Sequence, residues 1–248
     1  MGVYTRSTGR FRYGSYFPPA IRWLLILNCG LFVFSFLLGL VDPSLVRALL
    51  DIFGLRATSF LHGMIWQPVT YLFLHGGLWH VLFNMFALWM FGADLERDWG
   101  TRRFLRYYFV CGVGAGLCDV TANLAFGAGN IATIGASGAI YGILLAYGLL
   151  YPNRIIFFNF LFPIPARIYV IIIGAIAFLS SLGGPSTVSN VAHLGGMLFG
   201  YLYLRLGMHY LDWSALAGYY QQWRRRRLQQ KFRVYMRKRD HDGDRWVN

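Results

Sequence analysis

The chain is short of charge: only 13% of its 248 residues are Asp, Glu, Lys or Arg, and just 10 of them are acidic. An ordinary soluble domain carries about a quarter charged residues, so that class is excluded at the outset. Cysteine is rarer still. Cys29, Cys111 and Cys118 are odd in number and lack metal-ligand spacing, which argues against a disulfide framework and against a zinc site. They read as small core residues. No segment repeats at a solenoid period. The first apolar run has no convincing small-residue cleavage site, so it reads as a retained helix rather than a signal peptide.

What is abundant is apolar surface. Hydrophobic residues make up 56% of the chain, and the mean hydropathy is +0.45. About 20 apolar residues cross a bilayer as a helix. Runs at 23–41, 78–93, 104–126, 136–150, 168–182 and 188–206 therefore predict an all-α polytopic membrane protein with six transmembrane helices. Of the 23 basic residues, 21 fall on one side of that arrangement, leaving only Arg47 and Arg56 on the other. The positive-inside rule then puts both termini in the cytoplasm, and six spans satisfy that requirement. The expected organisation is a cytoplasmic segment over 1–19, a membrane domain over 20–206 and a basic cytoplasmic tail over 207–248. The run Arg224 to Arg227 suits anionic lipid headgroups. Nucleic-acid binding is not expected, because the aromatic interleaving of a reading surface is missing.

Polar groups stand out against this background. Gly135-Ala136-Ser137-Gly138 opens the fourth apolar run, and His193 lies inside the sixth. Ionisable groups at membrane depth are costly and usually face a cavity or a partner. A serine beside a histidine makes a nucleophile and its base. Both residues enter from the same side and lie within two turns of the surface, a depth of about 8 Å at about 1.5 Å per residue. Gly196 and Gly200 form a small-residue face beside His193, where another helix can approach closely. Taken alone, the glycines around Ser137 also fit a simple packing face, and His193 a core histidine bonded to a carbonyl.

The second apolar run adds His75, His80 and Asn84. His80 and Asn84 are four apart and share a helix face, a sensible pair of donors for a developing oxyanion. His75 and His80 are five apart, which turns them away from each other on a helix, and no carboxylate accompanies them, so a metal site is not expected. No acidic residue stands ready to orient His193 as a triad requires. Asp119 is the only carboxylate well inside a span, and its place is left open. Tyr141, one turn after Ser137, is spaced to pack against the imidazole. The glycine after Ser137 breaks the pattern of the soluble-hydrolase elbow, so that fold is not implied.

These residues resemble those of rhomboid intramembrane serine proteases. The resemblance spans about residues 20 to 206, in order: His75, His80 and Asn84; Glu96 with Trp99-Gly100; Gly135, Ser137, Gly138 and Tyr141; Ala192-His193, Gly196 and Gly200. Trp66 matches the tryptophan of the family's first-loop Trp-Arg pair, but Gln67 stands in place of the arginine. The resemblance implies a six-helix bundle that hydrolyses peptide bonds in or near transmembrane segments. Ser137 would be the nucleophile, and His193 the base and later the acid. The Ser137 amide, His80 and Asn84 would hold the oxyanion, and Tyr141 would stack on His193. Gly135, Gly138, Gly196, Gly200 and His75 would support the site. The fifth span and the loop Ser181 to Ser186 would move to admit substrate, with small residues preferred at the cleavage point. No cofactor or metal is implied. The expected partners are transmembrane protein substrates and membrane lipids, and the expected location is a bacterial plasma (inner) membrane. A non-catalytic relative that only binds transmembrane clients would lack the serine, the histidine or the donors. A transporter would show matched halves with broken helices at the midplane, and this chain does not.

Overall fold

In the computed structural model the described residues are 17–126, 132–158, 162–182 and 189–206. All of them belong to the unit Met1–Leu206, one of the two into which the chain divides. Six helices occupy the six apolar runs: α1 (Pro19–Val41), α5 (Leu78–Trp99), α6 (Thr101–Phe126), α7 (Ser137–Leu150), α8 (Ala166–Leu182) and α9 (Asn190–Arg205). Of these, α1, α5 and α6 are long and apolar enough to cross a membrane, while α7 and α8 are shorter apolar helices. Between α1 and α5 lie α2 (Pro43–Phe53), the short helices α3 (Ala57–Leu61) and α4 (Gln67–Thr70), and a 3-10 turn at Tyr71–Phe73. None of these was expected. A two-stranded antiparallel hairpin, β1 (Ile155–Phe158) and β2 (Phe162–Pro165), joins α7 to α8, and the apolar runs predict no strand there.

Helix ends are secured by side chains that sequence spacing alone does not pair. Pro19 opens α1 with a fixed φ and no N–H to satisfy. The next two amides, of Ala20 and Ile21, donate to the two carboxylate oxygens of Glu96 at 2.8 and 2.9 Å, and Thr101 Oγ1 donates to the same group at 2.6 Å. Glu96 is buried at the far end of α5, so one carboxylate caps α1 and closes the turn from α5 into α6. Asp42 caps α2 through Ser44 in the ordinary local way.

The loop region before α5 is organised around Gln67, which is fully buried. Its Oε1 accepts from the Arg56 amide at 3.1 Å, and its Nε2 donates to the carbonyls of Asp51 and Ile52 at 3.2 and 3.3 Å. Trp66 Nε1 also reaches the Ile52 carbonyl, at 2.9 Å. A neutral amide both donates and accepts, which an arginine in its place cannot do. This platform is tied to the segment before α7 by a backbone bridge between Leu55 and Thr133.

At the centre, α6, α7 and α9 pack through missing side chains. A methyl group on Gly196 would sit 1.9 Å from the Gly138 carbonyl oxygen, so α7 and α9 meet backbone to backbone. The Tyr107 hydroxyl donates to the Gly142 carbonyl at 2.7 Å, in the space that Gly200 leaves open. Cys111 is buried against Gly142, as a small core residue should be. Cys29 departs from that reading: it is exposed on α1. Among the three packed helices α7 is the shortest. Its 14 residues extend about 21 Å at about 1.5 Å per residue, against roughly 30 Å for a bilayer's hydrocarbon core.

Candidate active site

The chain reaches Ser137 through Gly135, which holds φ +118°. That conformation suits glycine, and a Cβ there would also lie 2.7 Å from His80 Nε2, so the imidazole rests directly on the Gly135 backbone. The Gly135 amide donates to the Tyr71 carbonyl at 2.9 Å. Ser137 is the first residue of α7, so its N–H is one of the four without an intrahelical acceptor, at the positive end of the helix dipole.

From α9, His193 Nε2 lies 2.9 Å from Ser137 Oγ. Tyr141 stacks on the same imidazole, with ring centroids 4.1 Å apart and planes 5° from parallel. His193 is buried, and among the described residues its Nδ1 meets no hydrogen-bond partner. The ring is held by the stack on one face and by the close α7–α9 contact beneath it. Among the described residues no carboxylate hydrogen-bonds to it.

Ser137, His193, Tyr141, His80, Asn84, Gly135 and Gly138 all line one cavity of about 1520 Å³. It runs from the Gly76–Gly77 turn and Ile134 down between α5 and α8, where Phe83, Met90, Tyr169 and Ile173 face it. Asn84 Nδ2 gives one hydrogen to the His80 carbonyl at 2.7 Å. An amide nitrogen carries two, so one remains for the cavity. His75, Gly196 and Gly200 do not line the cavity. The two glycines serve the helix contact. His75 packs edge-on against His80, ring centroids 5.0 Å apart. The sequence spacing turned these two rings apart, but α5 begins only at Leu78, so His75 precedes the helix and folds back onto it.

Asp119 now has a place. It is buried on α6, where its Oδ2 accepts from Thr133 Oγ1 at 2.6 Å and from Asn123 Nδ2 at 3.0 Å, and its Oδ1 accepts from Ser189 Oγ. Ser189 in turn caps α9 by accepting from the Ala192 amide at 3.1 Å. Sequence reasoning passed over both hydroxyls. The available signal was positional, because Thr133 and Ser189 each stand four residues before one member of the Ser137–His193 pair. Of the loop expected to move, Ser181 to Ser186, residues 183–186 lie outside the described residues, as do 1–16, 127–131, 159–161, 187–188 and the basic tail.

Comparison with known proteins agrees with this geometry at the level of family. The family model described as the Rhomboid domain matches residues 62–210. The chain is 35% identical over 170 residues to Rhomboid protease GluP of Bacillus subtilis (strain 168), covering 67% of this chain and 31% of that protein. It is 32% identical over 163 residues to RHOMBOID-like protein 5 of Arabidopsis thaliana, covering 65% and 50%. It is 32% identical over 138 residues to the mitochondrial Rhomboid protein 1 of Saccharomyces cerevisiae (strain ATCC 204508 / S288c), covering 53% and 38%. The chain thus spans at most half the length of these three relatives. With a family match over more than half its residues, and with apolar helices long enough to cross a bilayer, this integral membrane chain belongs to the rhomboid family.

Proposed function

We propose that the chain is an intramembrane serine endopeptidase that cuts peptide bonds in or near the transmembrane segments of other membrane proteins. The observation that carries this reading is the 2.9 Å contact between Ser137 Oγ and His193 Nε2 at the wall of a large cavity. It is supported by the family match and by the name of the relative Rhomboid protease GluP.

In this reading Ser137 Oγ attacks the scissile carbonyl carbon while its proton passes to His193 Nε2. The tetrahedral oxyanion is met by the Ser137 amide, by the His80 ring and by the remaining N–H of Asn84. Collapse breaks the C–N bond, and His193 returns the proton to the leaving amine. Water then attacks the acyl-enzyme ester, giving its proton to His193, and the serine is restored. The stack with Tyr141 replaces the orienting acid of a triad by fixing the ring plane.

The membrane arrangement belongs to the same proposal. All six apolar helices cross the bilayer, both termini face the cytoplasm, and residues 207–248 form a basic tail against anionic lipid. A central helix about 9 Å shorter than the hydrocarbon core leaves Ser137 below the outer surface, where the cavity admits water. Substrate enters between α5 and α8 and unwinds locally, because a helix hides its carbonyls in its own hydrogen bonds.

The test is chemical. A fluorophosphonate probe labels the purified chain, and Ser137→Ala or His193→Ala abolishes labelling and cleavage of a model transmembrane substrate. Undiminished labelling in both variants would overturn the proposal.

A further inference from the structure

Asp119 is buried, sits in no pair with a basic residue among the described residues, and takes no part in the steps just given. A carboxylate is acceptor-only and has room for several donors at once. Here it takes two hydroxyls and one amide, and the hydroxyls come from different parts of the chain. Thr133 belongs to the strand-like segment that the Leu55 bridge holds and that leads through Gly135 into Ser137. Ser189 is the cap of α9, and the His193 amide donates to the Ser189 carbonyl at 3.3 Å, one turn along. One side chain on α6 therefore joins the two segments that deliver Ser Oγ and His Nε2.

We propose that Asp119 is a positioning residue. By tying Thr133 to Ser189 it sets the separation of Ser137 and His193, alongside the Tyr141 stack that fixes the plane of the ring. Two observations favour this over a direct role. The Asp119 oxygens already accept from three donors, and among the described residues the buried His193 Nδ1 has no hydrogen-bond partner. A plain capping role for α9 is insufficient, because Ser189 Oγ performs that capping itself. The proposal rests on the serine-protease reading above.

The experiment uses the full chain in detergent and in lipid vesicles, reading the fluorophosphonate labelling rate together with kcat and KM on a transmembrane substrate. Thr133→Val keeps the shape and removes the donor, and Thr133→Ser returns it. Ser189→Asp keeps a good helix cap but sets a carboxylate against Asp119. Misplacing reacting groups by about 1 Å costs on the order of 100-fold, so Thr133→Val and Ser189→Asp are expected to lower labelling and kcat by about 10- to 100-fold with KM held. Thr133→Ser restores the rate, and Thr133→Val adds nothing further once Asp119→Ala is present. A merely structural role would lower the unfolding temperature and leave kcat intact well below it. If Ser189→Asp fails to fold, the valine and serine variants at 133 decide alone. Folded Thr133→Val retaining the parent kcat overturns the proposal while Ser137→Ala stays silent. Labelling that survives Ser137→Ala would instead remove the reading on which it stands.

Discussion

Helices α8 and α9 have 17 and 16 residues, are both apolar, and both pack on α7, yet they are held in opposite ways. The α9 helix is fixed by absence of side chains: Gly195, Gly196 and Gly200 each leave a space that a neighbouring helix fills. The α8 helix buries only Ala166, Val170 and Ala177. Its first turns are anchored, with Val170 against Gly148 and Tyr169 stacked on Phe91 of α5 at 5.8 Å. Its later turns present Phe178, Leu179 and Leu182 outward. The lesson concerns division of labour. The helix bearing the proposed base cannot shift without a backbone clash, whereas the helix bordering the cleft is anchored at one end and lightly held at the other.

The harshest way to break this contrast is a side chain at the α7–α9 contact. Gly196→Val would drive a Cβ into a carbonyl oxygen 1.9 Å away, and backbone cannot yield as a flexible side chain can. Overpacking commonly costs 1–3 kcal/mol, and we expect about 3 kcal/mol or more here, with loss of probe labelling. Thermal unfolding in detergent, followed by circular dichroism, reads the first quantity. The matching change on α8 is Gly174→Ala, where the new methyl meets only the end of the Met197 side chain at 3.3 Å. Its cost should stay below about 1 kcal/mol, since Met adapts readily. Equal costs at the two positions would dissolve the comparison.

Much of this was legible in the sequence, and the reasons differ by residue. Apolar runs locate helices because burial in lipid leaves few alternatives for the backbone, and all six runs contain one. Ser137 and His193 stood out because polarity is rare in such runs, and they meet at 2.9 Å. What stayed hidden were groups whose partners are distant in the chain. Glu96 was visible only as part of a family pattern, but its task as cap of α1 depends on residues 75 and 76 positions away. Asp119 could not be placed because Ser189 lies 70 positions on. Gln67 read as a departure from a motif, and its buried amide turns out to bond the Asp51 carbonyl at the end of α2, the Arg56 amide and the Met64 sulfur. Periodicity reports which face of an element is buried, and says nothing about which distant hydroxyl meets it.

A milder probe of the tight side is Tyr107→Phe. It deletes the hydroxyl that donates to the Gly142 carbonyl at 2.7 Å, leaving a buried acceptor short of one partner. Such a loss costs about 1 kcal/mol, lowering the unfolding midpoint by a few degrees while the labelling rate at low temperature holds. A large fall in labelling without a fall in stability would mean that this bond governs the site directly, and that α6 together with α9 holds the reacting groups in place.

The smallest expected effect tests the loose side. Ile171 on α8 is 69% exposed, and in the proposed membrane arrangement that face meets acyl chains rather than protein. Replacing it with alanine swaps one apolar contact with lipid for another, with no cavity left behind, because lipid closes over the site. Substitutions of this kind fall within about 0.5 kcal/mol. Val170, its neighbour, is buried against Gly148, so Val170→Ala should cost more, about 1 kcal/mol or above, by opening a gap that protein atoms cannot refill. The pair, measured by the same unfolding assay in lipid, separates two accounts of α8. If Ile171→Ala is as costly as Val170→Ala, then protein rather than lipid covers this face, and α8 is braced along its whole length. If the two differ as expected, the helix is held on one side only, which is what a cleft able to widen toward its far end requires.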